Sequence, residues 1–318
     1  MGSVSIPIKD VFKILFKSEG KDSWIYIINN FRLTKSITAI IVGISLSVAG
    51  LLMQTLFRNP LAGPYVLGIS SGAGLGVALV VLASTFSVGF ASLYTFLGNW
   101  TIIIAAIIGA SLVLILVVMV SFKISDTVSL LIIGIMFGSL TGAVVTVLQY
   151  FSNPDNLQSF LSWTFGSLST VNWKEMKFLV PLTLIGLGIA FIYQKSLNVI
   201  LFGDNYAKSL GISIKKLRFI IIVCTALMAG TTTAFTGPIA FIGVAVPHLA
   251  RGIFKTSDHK ILIPGIALIG ASLMLICDIL SRVPGYDTLL PINAVTALFG
   301  APVVIWVIIK SRSINSNR

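Results

Sequence analysis

The sequence predicts an all-α polytopic membrane protein, and three observations support this prediction. Of the 318 residues, 56% are hydrophobic and 10% are charged, whereas soluble proteins carry about 25% charged residues. No Asp, Glu, Lys or Arg occurs between residues 59 and 122, a stretch that could hold about three spanning helices of about 20 residues each. The alternation of apolar and polar residues that is typical of a membrane β-barrel is not visible, so the spans are predicted to be helices.

Nine charge-poor windows mark the predicted spans. In chain order they are residues 37–57, 64–84, 100–122, 127–150, 178–194, 219–236, 239–250, 261–281 and 292–309. The first span is expected to stop at Arg58, where the turn dipeptides Asn59-Pro60 and Gly63-Pro64 reverse the chain. Small residues then crowd the start of the second span, where they favour either tight helix packing or a mobile pathway wall.

The run from residue 219 to residue 250 is too long for one span and short for two. Basic residues stand on both sides of it, so it is expected to cross the membrane and return, with a break between Thr231 and Pro238. One of the two helices would then be short and packed against protein. The segment 237–243, GPIAFIG, also echoes GPYVLG at residues 63–68, which hints at a duplicated helical unit.

The distribution of basic residues predicts the orientation of the chain. The net charge is +12, and the positive-inside rule explains it better than binding to nucleic acid. If the loops at 195–218 and 251–260 lie inside with Arg58, Lys123 and the C-terminal tail, the inside holds 13 of the 22 Lys and Arg residues. Residues 1–36 then form an extracytoplasmic leader segment. Either a further spanning helix precedes Met1, which we favour, or the first visible span inserts as a hairpin with its basic N-terminus outside.

Several blocks resemble one transporter family. The order G-x3-Q-x3-RNPLA-x-P-x2-LG-x-S-x-GA, from Gly50 to Ala73, is similar to the FecCD-type permeases of ATP-binding-cassette (ABC) importers for iron-siderophores, haem and cobalamin. Four later blocks agree in the same order: residues 237–251, 257–271, 277–282 and 290–306. The resemblance implies the type II importer architecture with ten helices, of which the first is absent from this sequence and about nine are visible.

The loop at 195–218 is expected to form two short helices divided by Gly203 and Gly211. Its apolar residues in a polar frame are typical of an amphipathic loop on a membrane surface. The resemblance implies instead a cytoplasmic coupling loop that docks on an ATPase subunit. The coupling residues so implied are Gly203, Asp204, Ala207, Leu210 and Gly211.

Two further residue sets have open alternatives. Arg32, Lys35 and Arg282 are ordinary interface anchors by position, whereas the resemblance implies that they dock a substrate-binding protein; Asp278 and Arg282, one helical turn apart, are expected to pair. The fifth helix of the family, here residues 127–150, implies a pathway between two permease copies. Its small residues could equally serve helix packing, and they are Gly134, Gly138, Ser139, Thr141 and Gly142.

The sequence shows no recognisable set of catalytic residues. His248 and His259 are the only histidines, and they offer no metal-ligand spacing. Residues 202–209 place Lys208-Ser209 as in a phosphate loop, but Phe202 and Ala207 replace both required glycines. We therefore expect no catalytic residue, metal or cofactor on this chain, with ATP and Mg²⁺ bound by a partner ATPase.

With this resemblance, the sequence is expected to form one transmembrane permease domain, residues 1–318, in a bacterial inner or cytoplasmic membrane. The resemblance implies a non-catalytic importer subunit for an iron chelate (siderophore or haem) or cobalamin. Its implied partners are a second copy or a similar permease chain, two ATP-binding subunits and an extracytoplasmic substrate-binding protein, without nucleic acid. The alternative is an ion-coupled secondary transporter or channel that needs no ATPase, which leaves the loop at 195–218 unexplained.

Overall fold

The computed structural model describes residue 4 and residues 6–17, 19–83, 98–124, 126–282 and 289–315. Residues 1–3, 5 and 18 of the predicted leader, and residue 84 of the second predicted span, lie outside the described residues. Within the described ranges the chain is built from thirteen helices. They are α1 (Ile8–Lys17), α2 (Asp22–Phe57), α3 (Ile69–Val81), α4 (Asn99–Lys123), α5 (Thr127–Tyr150), α6 (Pro154–Thr164), α7 (Trp173–Ile192), α8 (Gln194–Ile200), α9 (Asp204–Ser209), α10 (Ile214–Thr236), α11 (Ile242–Phe254), α12 (His259–Leu280) and α13 (Ile292–Asn315).

Each of the nine predicted spans corresponds to one of these helices. Six of the described helices are long and apolar enough to cross a membrane: α2, α4, α5, α7, α10 and α12. The remaining three predicted spans are α3, α11 and α13, whose apolar stretches are shorter. The all-helical membrane fold predicted from composition is therefore confirmed.

Helix α2 forms the centre of the molecule. It contacts α7, α10, α11 and α12, and nearly all of its side chains from Thr38 to Phe57 are buried. Two glycines permit the closest approaches: a Cβ at Gly43 would lie 2.2 Å from the Gly270 carbonyl oxygen, and one at Gly50 would lie 1.7 Å from the Gly243 carbonyl oxygen. Small residues let helix backbones meet where lipid offers no hydrophobic driving force for their association.

Helices α3 and α4 pack in the same way. A Cβ at Gly72 would lie 2.6 Å from the Gly109 carbonyl oxygen, and one at Gly76 would lie 2.0 Å from the Ala105 carbonyl oxygen. At these two positions the small residues of the second predicted span serve tight packing between helices.

The run from 219 to 250 folds into two helices as predicted, but the break between them is narrower than expected. Thr231 and its two neighbours remain helical, and α10 ends only at Gly237, whose φ of 72° is favourable for glycine. The partner α11 has 13 residues, the same length as α3, and each follows a non-helical segment. These segments meet where the Tyr65 hydroxyl lies 3.4 Å from the Ile239 amide nitrogen.

Candidate functional site

The segment between α7 and α10 folds into the two short helices that its glycines predict. Gly203 adopts φ 108° before α9, and Gly211 adopts φ 79° after it. Residues other than glycine rarely adopt such backbone angles. The two glycines therefore set the turns at both ends of α9, and the predicted division of the segment is confirmed.

One side of this segment is fixed to the body of the protein. Leu197 and Ile200 of α8 and Ala207 of α9 are fully or almost fully buried. Ala207, one of the residues predicted to couple, thus faces the protein and fastens α9 to it. The segment is therefore packed against the protein body along this side.

The other side presents an apolar stripe to solvent. Phe202 is 76% exposed, and Tyr206 and Leu210 are more than half exposed. The three residues recur at four-residue spacing, so they lie on one face of the turn and α9, and the rings of Phe202 and Tyr206 are 5.6 Å apart. We call Phe202, Tyr206 and Leu210 the apolar stripe. Leu210 was among the coupling residues implied from sequence. Tyr206 belongs to the apolar residues of the loop but was not included in that set, and Phe202 was missed, although its spacing from Tyr206 was a usable signal.

Charged residues connect the segment to three other elements. The Asp204 carboxylate at the start of α9 accepts a hydrogen bond of 3.1 Å from Arg58, the residue that ends α2 in a left-handed conformation. Its other oxygen lies 3.9 Å from Arg218 of α10. Arg218 is buried and donates to the Ile124 carbonyl at the end of α4. Charged side chains therefore link α9 to the ends of α2, α4 and α10.

A polar network attaches α8 to the start of α12. The Asn198 amide donates to the Asp258 carboxylate over 2.7 Å, and its oxygen accepts from the His259 backbone amide. The buried His259 ring also bonds Thr55 of α2 over 2.8 Å. The hydrogen bonds that Asp258 accepts from the Lys260 amide and from Asn198 hold the pKa of its carboxyl below the usual range. The sequence did not predict this network.

The three basic residues predicted to dock a substrate-binding protein, Arg32, Lys35 and Arg282, make different contacts. Lys35 and Asp278 form an ion pair of 2.7 Å in which both side chains are 9% exposed. Arg282 lies 3.8 Å from the second Asp278 oxygen, so the predicted pairing of Asp278 with Arg282 is confirmed. Arg32 donates to the Val4 carbonyl. The Lys35 ammonium is therefore engaged inside the bundle, while Arg282 remains partly exposed.

A cavity of about 190 Å³ lies beside this ion pair. Besides Lys35 and Asp278 it is lined by serines 162, 167, 169 and 281, by residues 289–291 that precede α13, and by Ile292 that begins it. The cavity lies where α2, α6, α12 and α13 come together.

The small residues of α5 separate into two groups. Gly134 is buried, and a Cβ there would lie 2.5 Å from the Val66 carbonyl oxygen; Thr141 is buried and bonds its own helix. Ser139 and Gly142 are exposed, and Gly138 is half-buried. Packing inside the chain therefore explains Gly134, whereas Ser139 and Gly142 lie on a face that nothing in the described residues covers.

The described residues contain no group of three or more His, Cys, Asp or Glu side chains that could hold a metal ion. The two cysteines, Cys224 and Cys277, are buried and unpaired with each other.

A family model and individual proteins that resemble this chain identify the same family. The model of the FecCD transport family matches residues 1–310. The chain is 34% identical over 281 residues to the vitamin B12 import system permease protein BtuC of Escherichia coli O9:H4, covering 88% of this chain and 83% of that protein. It is 34% identical over 317 residues to the hemin transport system permease protein HmuU of Yersinia pestis, and the match covers 98% of this chain and 90% of that protein.

A solved structure supports the fold. An inward-facing conformation of a transporter described as a metal-chelate type ABC transporter superimposes with a TM-score of 0.82 and 30% sequence identity. The match covers 93% of this chain and 91% of that one. The PsaBC complex of Streptococcus pneumoniae, at 18% identity and a TM-score of 0.54, shares the fold alone.

Proposed function

Because the chain belongs to the FecCD transport family, we propose that it is the membrane-spanning permease subunit of an ABC importer that carries an iron chelate (siderophore or haem) or cobalamin across the inner membrane. The apolar stripe is the single observation that carries the proposed mechanism. Three large apolar side chains stand exposed on α9 and the residues that flank it, and Asp204 of α9 pairs with Arg58 and Arg218. Such a helix fits a hydrophobic groove on a partner protein.

The proposed partners follow from this role. Two ATP-binding subunits would receive the apolar stripes of this chain and of a second permease, either a copy or a similar chain. ATP and Mg²⁺ would bind to those subunits, with no catalytic residue or cofactor on this chain. We also propose that residues 1–36 are extracytoplasmic and that residues 195–218 face the cytoplasm, as the distribution of basic residues indicates.

The proposed transmission route runs through the ionic contacts of Asp204. A movement of α9 driven by the ATPase would shift α2 through Arg58 and α10 through Arg218. Because α2 packs on α7, α10, α11 and α12, the whole centre of the bundle would respond. Alternating access then corresponds to two packings of these helices whose populations the ATPase shifts.

At the other end, we propose that Arg282 and Arg32 contact carboxylates of a substrate-binding protein, since such charge pairs favour orientation and association rate. Lys35 would take part only after leaving Asp278. We propose that Ser139 and Gly142 of α5 face the pathway between two permease chains, with Gly138 and Thr141 at its edge. Gly134 keeps α5 close to the segment before α3.

The test is copurification of this chain with a candidate ATPase subunit. We expect wild type to form a complex and Leu210→Asp to weaken it by about 10- to 100-fold, because burial of one leucine contributes about 1.5–3 kcal/mol. Leu210→Met should keep the complex. Ser209→Asp is the matched control, because it adds the same charge beside the apolar stripe without removing an anchor.

Two results would contradict this proposal. A chain that binds no ATPase, yet transports in liposomes on an ion gradient alone, would identify a secondary transporter. Equal loss of the complex in Leu210→Asp and Ser209→Asp would show that charge near α9, and not the apolar stripe, controls docking.

A further inference from the structure

Helix α1 (Ile8–Lys17) carries an apolar face that the importer function does not explain. Ile8, Phe12, Leu15 and Phe16 recur at intervals of four, three and one residues, which places them on one side of the helix. All four are exposed, with Phe16 at 82% and Ile8 at 76%. The rings of Phe12 and Phe16 stack in parallel, 6.2 Å apart. We call these four residues the α1 apolar face.

A second side of α1 fixes its orientation. Ile14 is buried in a small cluster with Ile6 and with Ile28 of α2, and Val11 packs against that cluster. Because Ile14 anchors the helix to the start of α2, the α1 apolar face cannot turn inward to bury itself. Its exposure is therefore a property of the folded chain.

A third side of α1 is basic. Lys9, Lys13 and Lys17 are all exposed, and at about 100° per residue they lie directly beside the α1 apolar face. An amphipathic helix that lies in a membrane interface has this order, with large apolar residues on one side and Lys or Arg along the polar side.

The position of α1 agrees with that environment. It precedes α2, the first described span, and the start of α2 exposes Tyr26 and Phe31 with ring centroids 5.8 Å apart. Exposed aromatic residues at the end of a span are typical of the boundary between water and lipid. Through the contact between Ile14 and Ile28, α1 lies beside this end of α2.

We propose that α1 lies in the headgroup layer of the bilayer, with the α1 apolar face in the acyl boundary and Lys9, Lys13 and Lys17 against the phosphates of anionic lipids. The bilayer continues from the surface of α2 to α1, so it reaches this face without any further protein. Anionic headgroups complement the three lysines, which stand in one row on the exposed helix. The lipid contact would fix the leader segment, and with it Arg32, relative to the membrane surface.

The test is a measurement of depth by spin labelling of the full chain in vesicles. Single cysteines are introduced as Phe16→Cys or Lys13→Cys; the native Cys224 and Cys277 are buried, and the chain without an added cysteine is the blank. In vesicles of mixed phosphatidylglycerol and phosphatidylcholine, the Phe16→Cys label should collide with oxygen more than with a water-soluble nickel chelate. The Lys13→Cys label should show the reverse preference.

The role of the lysines is tested with the same label. The measured quantity is the ratio of immersed to water-exposed Phe16→Cys label. It should fall by about fivefold for each lost lysine contact. Contacts are lost either in vesicles of phosphatidylcholine alone or with Lys9→Gln, Lys13→Gln or Lys17→Gln. A Phe16→Cys label that stays accessible to the nickel chelate in both vesicle types would overturn the proposal. Protection that rises with the density of the chain, or that requires an added soluble protein, would also overturn it by assigning the face to a second copy or to that protein.

Discussion

Lys35 and Asp278 show how single residues determine the interior of this membrane protein. The two charged groups are 2.7 Å apart and almost fully buried, where an isolated charge would be very unfavourable. Asp278 also lies 3.8 Å from Arg282. The arrangement therefore stabilises the contact between α2 and α12 only while both partners are present.

We predict that Lys35→Met lowers the free energy of unfolding by about 3–5 kcal/mol, because it leaves the Asp278 carboxylate without its closest partner in a buried site. The double variant Lys35→Met with Asp278→Leu should recover most of that loss. The measurement is denaturation of the purified chain in detergent, followed by circular dichroism.

Lys174→Met is the control for this prediction. Lys174 is exposed at the start of α7, so its replacement should change stability by less than about 0.5 kcal/mol. If the double variant loses as much stability as the two single variants added together, the ion pair is not the source of the coupling.

The sequence predicted only part of this arrangement. Asp278 and Arg282 are one helical turn apart, so their pairing follows from helical spacing. Lys35 lies on another helix, and its contact with Asp278 arises from the packing of α2 against α12. Similarly, the spacing of Phe202, Tyr206 and Leu210 was readable, but the burial of Ala207 depends on what α9 packs against.

At the scale of helices, close approach between backbones controls the architecture. The contacts of Gly43 with Gly270 and of Gly50 with Gly243 bring α12 and α11 against α2. A glycine inside a helix is unfavourable by about 1 kcal/mol relative to alanine, so each of these positions gives up helix propensity in exchange for contact. Close packing at glycines is thus found in three helix pairs, α2 with α11, α2 with α12 and α3 with α4. The sequence predicted it for the small residues of α3.

We predict that Gly50→Ala destabilises the protein by about 3 kcal/mol or more, because the added Cβ would lie 1.7 Å from the Gly243 carbonyl oxygen. Helices α2 and α11 would have to separate along their length. The measurement is the yield of monodisperse protein by size-exclusion chromatography, with thermal denaturation of the monodisperse fraction.

Gly252→Ala in α11 is the matched control. A Cβ at Gly252 meets no atom within 4 Å, so the substitution should be neutral or stabilising by up to about 1 kcal/mol. Equal yields and equal melting temperatures for the two variants would contradict the close approach of α2 and α11.

At the scale of the whole molecule, α5 is the least buried of the six candidate spans among the described residues. Only 17% of its most apolar window is buried, and its exposed residues include Ile132, Met136, Leu140 and Val144. A spanning helix with an apolar surface is stable against lipid, so exposure alone does not require a partner. The exposed Ser139 and Gly142 on the same helix, however, favour contact with another chain.

We predict that single cysteines placed along α5 cross-link two permease chains in native membranes on one helical stripe. Cross-linking should peak at positions three or four residues apart and be weak between them, because one side of a helix faces the partner. The readout is covalent dimer on a denaturing gel without reductant. Cross-linking that does not vary with helical position would indicate random collisions in the membrane and would contradict a specific second copy.

The sequence alone determined the fold class, the nine visible spans and the ends of α9, because these depend on local properties. Three local signals were enough: a long stretch without charge, a proline after a glycine, and glycines that adopt positive φ. Each affects the backbone only within a few residues of its own position. Only the tertiary structure decided which small residues face another helix, which basic residues are buried, and which side of α9 is exposed. Those outcomes depend on contacts such as Gly50 with Gly243 and Asp204 with Arg58, which join residues far apart in the chain, and no local pattern specifies such a pairing.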